Sequence, residues 1–67
     1  MTITLNGQPR GFDAATITVE GLLAEVGLAG RPVVVEVDLE AVFPADYAGT
    51  ALREGSSVEI VTIAAGG

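Results

Sequence analysis

Thr18-Val19-Glu20-Gly21-Leu22-Leu23-Ala24-Glu25-Val26-Gly27-Leu28 carries the one strong helical signal in this chain of 67 residues. Val19, Leu22, Leu23 and Val26 fall at i, i+3, i+4 and i+7, which lines one face of a helix with apolar side chains. Thr18 suits the N-cap, and Glu20 in the first turn meets the positive end of the helix dipole. Gly27 offers a left-handed stop, and Leu28 beyond it can fold back on the last turn. Gly21 weakens the helix by up to ~1 kcal/mol relative to Ala. The helix is short, yet both ends are marked.

On either side of it the pattern changes to that of strands. Met1-Thr2-Ile3-Thr4-Leu5 alternates apolar and hydroxyl residues, the period of a strand with one buried face. Asn6-Gly7 readily takes the two positive φ angles of a tight hairpin turn. A returning strand is expected over Gln8 to Asp13, at a sheet edge because Pro9 has no amide to donate. Pairing outward from the turn sets Arg10 opposite Ile3 and Phe12 opposite Met1. Arg10 fits that position badly, and a bulge at Gly11 would shift the register. Downstream of the helix, Val33-Val34-Val35-Glu36-Val37 is dense in β-branched residues. Asp38 to Ala41 reads as a turn, Val42-Phe43 as a brief strand stopped by Pro44, and Ala45 to Ala51 as a loop with one helical turn. Tyr47 and Leu52 are expected to anchor that loop. Arg53-Glu54-Gly55-Ser56-Ser57 is a second turn, and Val58-Glu59-Ile60-Val61-Thr62-Ile63 is the last strand. The order predicts an α+β fold, a mixed sheet of four to five strands packed on one main helix. The first and last strands are expected side by side and parallel at its centre.

Composition removes many functions. A single domain of this size buries only ~60% of the surface its unfolded chain exposes. With no Cys and no His, neither disulfides nor ordinary zinc sites are available. The nine acids lack the spacing of a calcium loop. Without His, Cys or Lys the usual general bases and activated nucleophiles are missing, so the chain is not expected to be an enzyme. The formal charge is −6, with Arg10, Arg31 and Arg53 as the only cations. That balance offers no footprint for nucleic acid and suits a partner with a basic docking surface. No apolar run approaches the ~20 residues that span a bilayer, and no leader opens the sequence, so cytoplasmic residence is expected.

Two features exceed what a core needs. If Val33, Val35 and Val37 face the helix, Val34 faces away. In the last strand Val58 and Ile60 suit the inside, which leaves Val61 and Ile63 outside. An apolar patch beside Glu36 and Glu59 resembles a docking surface. The second feature is Ala64-Ala65-Gly66-Gly67, which follows the last strand at once and has nothing to bury. Two glycines without Cβ atoms form a slim tether that can thread a narrow channel. The absence of Lys would keep side-chain amines away from an activated carboxyl, although a compositional bias toward Ala, Gly, Val and Arg is the simpler explanation.

The strand running into Asn6-Gly7, the Thr18–Leu23 helix start, the Val33–Val37 strand, the Leu52-Arg53-Glu54-Gly55 turn and Val58–Thr62 leading to Gly66-Gly67 together resemble the ThiS family. These are the sulfur carriers of thiamine biosynthesis, in the ubiquitin-like β-grasp superfamily. Asp38-Leu39 departs from the Asn-Gly turn frequent in that family, as do Arg10 and Ser56 from its usual residues. The resemblance implies a β-grasp domain over residues 1–63 and a flexible tail over 64–67. It also implies that the chain is a co-substrate and, on its own, a monomer. A ThiF-like, E1-like adenylyltransferase would convert the Gly67 carboxylate to an acyl-adenylate with ATP and Mg²⁺, which the partner and not this chain would bind. Sulfur from a cysteine desulfurase would leave a thiocarboxylate on Gly67, for use by a ThiG-like thiazole synthase. Gly66 and Ala65 would thread the partner's channel, and Val34, Val61, Ile63, Glu36 and Glu59 would form the docking face. A carrier for molybdopterin, cysteine or a specialised metabolite, or a ubiquitin-like protein modifier, would share the first chemical step.

Overall fold

The computed structural model describes residues 1–63, so the expected tail, with Ala65, Gly66 and Gly67, lies outside the described residues. Strands β1 (Thr2–Leu5) and β2 (Gln8–Gly11) form the opening hairpin. Asn6 and Gly7, at φ 50° and 82°, make the tight turn between them. The pairing is unbroken from Thr2–Gly11 to Leu5–Gln8, with Arg10 opposite Ile3 as the spacing required and no bulge at Gly11. Phe12 extends it by donating its amide to the Met1 carbonyl at 2.7 Å. Arg10 is accommodated because β2 is an exposed edge, where its guanidinium lies over the Phe12 ring, 5.7 Å from the centroid.

Ile17–Thr18 forms a short strand, β3, that leads directly into helix α1 (Val19–Glu25). The Thr18 hydroxyl accepts the Gly21 amide at 3.0 Å, the expected N-cap bond. At the other end Gly27 takes φ 79°. Leu28 N–H then reaches the Leu23 carbonyl at 2.7 Å and Gly27 N–H the Ala24 carbonyl at 3.3 Å, the paired bonds of a Schellman stop. Gly21 has a packing reason that the helical pattern does not reveal. A Cβ placed there would come within 2.9 Å of Ile17 Cγ1, so the glycine lets β3 close against the helix.

Strand β4 (Val33–Val37) turns into β5 (Glu40–Val42) through Asp38 and Leu39 alone. The sequence pattern predicts a longer turn there, followed by a Val42-Phe43 strand. Both turn residues instead take left-handed φ, 49° and 71°, so two residues suffice and Phe43 lies just beyond the strand. A 3₁₀ helix (Pro44–Gly49) leads to β6 (Ala51–Leu52), which pairs with β3 in a separate two-stranded sheet that the sequence pattern did not disclose. The last strand, β7 (Ser57–Thr62), completes the main sheet in the order β2-β1-β7-β4-β5. It runs parallel to β1 and antiparallel to β4, as expected for a β-grasp domain. Ile3, Val19, Leu22, Leu23, Val35, Leu52, Val58 and Ile60 form one buried core between sheet and helix.

Strand β1 is short, and its pairing with β7 is prolonged by a side chain. Thr4 and Asn6 donate backbone amides to the Ser56 and Val58 carbonyls at 2.9 and 2.8 Å. A longer β1 would next accept the Ile60 amide on a backbone carbonyl, but the chain has already turned. Asn6 Oδ1 accepts that amide instead, at 2.7 Å, and its Nδ2 donates to the Ile60 carbonyl at 3.2 Å. The substitution Asn6→Gly keeps the permitted φ while deleting both bonds. It should cost about 2 kcal/mol, from the lost bonds and the added freedom of the unfolded chain. Urea unfolding measures this directly, and an unchanged midpoint would mean that the side chain does not hold β1 to β7.

Candidate functional site

The helix covers one face of the sheet, and strand alternation sends every second residue of β4 and β7 to the other. The register places Val34 opposite Val61 and Glu36 opposite Glu59 across the two central strands. Glu36 also faces Ala41 on β5. Continuing the β4–β5 register by one position sets Phe43 beside Val34, and its backbone is still extended at φ −91°, ψ 156°. The open face therefore carries an apolar row, Phe43–Val34–Val61, next to a row of Ala41, Glu36 and Glu59. The apolar side chains are 67%, 46% and 61% exposed. Ile63, 51% exposed, lies just beyond the end of β7, and its amide is held by the Pro32 carbonyl at 2.9 Å.

Four of the expected docking residues, Val34, Glu36, Glu59 and Val61, thus lie on two adjacent strands and share one face, whereas Ile63 lies just beyond β7 and also borders a hollow with Leu23 and Tyr47. Glu36 is half-buried and Glu59 exposed. Two carboxylates directly opposite each other repel, so this pairing lowers the stability of the isolated sheet. Phe43 belongs to the same patch but was read only as part of a brief strand. The available signal was its spacing of two residues from Ala41, which puts both on one face once a two-residue turn sets the register. Near the exit of β7 lies a shallow hollow of about 530 Å³, walled in part by Leu23, Pro32, Tyr47 and Ile63. Among the described residues no group of three or more His, Cys, Asp or Glu is placed to hold a metal, and no helix is long and apolar enough to cross a membrane. The Gly67 carboxyl, expected to be the reacting group, lies outside the described residues, with Gly66 and Ala65.

The family model described as the ThiS family matches residues 3–67, nearly the whole chain and both terminal glycines. The chain belongs to the ThiS family. Among solved structures it is similar to a thiamine biosynthesis protein (ThiS) from Geobacter metallireducens, at 30% identity over all of both chains with a TM-score of 0.87. The solution structure of a thiamine biosynthesis protein from the same organism gives a TM-score of 0.82, covering all of this chain and 88% of that one. Two curated relatives are thiazole synthases. One, from Paramagnetospirillum magneticum, is 43% identical over the 67 residues, and one from Magnetococcus marinus is 39% identical. This chain spans about one fifth of the length of each, so the ThiS-like unit there is a segment of a longer polypeptide.

The division between the two faces has a direct test. Val61→Asp introduces a charge on the open face and should change unfolding free energy by less than ~0.5 kcal/mol. Ile60→Asp, one residue earlier, puts a carboxylate into the core and should cost more than ~3 kcal/mol or prevent folding. Chemical denaturation of the pair reads the difference, and comparable losses for both would show that the patch is part of the packing.

Proposed function

We propose that this ThiS-family chain is a sulfur carrier for the thiazole ring of thiamine, with the Gly67 carboxyl as its reacting group. The observation that carries the reading is the family match through Gly66-Gly67, on a fold whose last strand ends at Thr62, shortly before that pair in sequence. A carboxylate is a poor electrophile and must be activated. One Gly67 oxygen attacks the α-phosphorus of ATP in an E1-like, ThiF-like adenylyltransferase, and pyrophosphate leaves with Mg²⁺ balancing its charge. The terminal sulfur of a persulfide, formed by a cysteine desulfurase, then attacks the acyl carbon and expels AMP. A thiol cleaves the resulting acyl disulfide, leaving the thiocarboxylate on Gly67. Apart from the Gly67 carboxylate itself, the nucleophiles, the nucleotide and the metal belong to partners, as befits a chain without Cys, His or Lys.

The thiazole synthase relatives support a synthase of that kind as the sulfur acceptor, since they hold a similar unit within their own chains. The open face supports protein docking at the earlier step. Phe43, Val34 and Val61 offer apolar area, and Glu36 with Glu59 favours a partner that carries Lys or Arg at the rim of its own apolar surface. The same acids disfavour face-to-face pairing of two copies, which would bring four carboxylates together. The proposal requires a free carboxyl at Gly67 and a tail of full length. Exchange of labelled pyrophosphate into ATP, catalysed by the adenylyltransferase from the same cell, should therefore depend on this chain. Deleting Gly67 should abolish the exchange while leaving the unfolding midpoint unchanged. Exchange that persists without Gly67 would refute the assignment.

A further inference from the structure

At the tip of the β4–β5 hairpin the chain carries a cost that its own fold does not recover. Asp38 and Leu39 both take positive φ, the angles of a two-residue turn in which Asn-Gly is the favourable pair. Asp38 has a structural return for this. Its amide donates to the Ser57 carbonyl at 2.7 Å, and its Oδ1 accepts the Ser57 amide at 2.9 Å, which ties the tip to the start of β7. Leu39 has none. A left-handed backbone is unfavourable for leucine, and the side chain is 90% exposed, so burial provides no compensation. Strain of this kind concentrates where a residue serves an interaction made outside the folded chain.

The surroundings indicate what that interaction is with. Asp38, Glu40 and Asp46 line one hollow of about 410 Å³ beside the tip. That hollow is on the helix-covered side, where Glu40 pairs with Val37, and Glu36 and Glu59 lie on the opposite, open face of β4 and β7. The tip is thus an isolated apolar knob with acids on both sides of the sheet end, at the end of β4 away from Ile63. Ser57, bonded to the tip, and Ile63, at the exit, are six residues apart on β7, or ~20 Å along an extended strand.

We infer that Leu39 is a second anchor for the adenylating partner, received by an apolar socket bordered by Lys or Arg. The inference rests on the carrier reading above and adds a specificity determinant to it. A partner that held only the tail and the neighbouring apolar row would leave the domain free to pivot about the tail. A knob ~20 Å away fixes its orientation and favours this chain over a similar one with a glycine at the tip. The charges around it would steer encounter, while the leucine would determine how long the complex lasts.

Leu39→Gly separates this role from a structural one because its two effects have opposite directions. Relief of the left-handed leucine should raise the melting temperature by about 5 °C. Affinity for the adenylyltransferase from the same cell should fall at least tenfold, chiefly through faster dissociation, as for a buried hot spot. Leu39→Met should retain most of the affinity, because it restores an apolar side chain of similar volume. Binding of Leu39→Gly within twofold of the parent would overturn the inference, and so would a lowered melting temperature, which would make Leu39 part of the fold. If the parent chain itself failed to bind that enzyme, the carrier reading would fall first. Parental binding with an indifferent Leu39→Gly would overturn the anchor alone.

Discussion

The rest of the structure depends on strand β7 being held from both sides at once. On one side β1 runs parallel to it, and on the other β4 runs antiparallel. Parallel neighbours need a long connection between them, and here almost the entire chain, helix included, serves as that connection. The core then follows from alternation. Val58 and Ile60 turn toward the helix with Val35 and Ile3, and Leu22 and Leu23 close over them. Each inward residue fixes its neighbour outward, so the pairing that buries Val58 and Ile60 also presents Glu59 and Val61. A one-residue slip would exchange the two sets, and the buried carboxylates would make that register far less stable. Core and open face are therefore two consequences of the same alignment.

Most of this alignment was legible in the residues. The helix announced both ends, through Thr18 and through Gly27 with Leu28, because capping depends on local chemistry that a short stretch contains completely. The faces of β4 and β7 were equally clear, since period two leaves no freedom once one member is assigned to the core. What escaped the reading was non-local or locally atypical. The pairing of β3 with β6 joins two dipeptides more than thirty residues apart, Ile17-Thr18 and Ala51-Leu52, and neither has a strand pattern of its own. The bonds from Asn6 to Ile60 depend on where β1 happens to stop. The Asp38-Leu39 turn was drawn too long because leucine is a poor signal for positive φ, and that error concealed Phe43 as a member of the open face. The expected bulge at Gly11 assumed that Arg10 needed to leave its position, whereas an edge strand lets its guanidinium rest on Phe12.

The distribution of cost is also informative. Glu36 opposite Glu59, and a leucine held at positive φ, both work against the isolated fold, and both lie on the open face or at its end. The helix-covered side shows no comparable conflict, and among the described residues no buried side-chain polar atom lacks a hydrogen-bond partner. Costs carried outside the core suit the proposed carrier role, in which a partner would cover them. Such a carrier needs a rigid body to be recognised and a terminus to be modified, and it keeps reactive side chains out of the way. The sequence meets the last condition fully, with no Cys, His or Lys anywhere.

The central claim is that Gly67 carries sulfur, and the mass of the chain tests it most directly. The protein is isolated from its native cell, or incubated with its adenylyltransferase, ATP, a cysteine desulfurase and cysteine, and its intact mass is recorded. The account predicts the exchange of one oxygen for sulfur, located at the Gly67 carboxyl and reactive toward a thiol-selective alkylating reagent. A chain without Cys has no other group that would take the reagent in this way. Recovery of the chain in isopeptide linkage to other proteins, with no thiocarboxylate at Gly67, would contradict the account and identify a protein modifier instead.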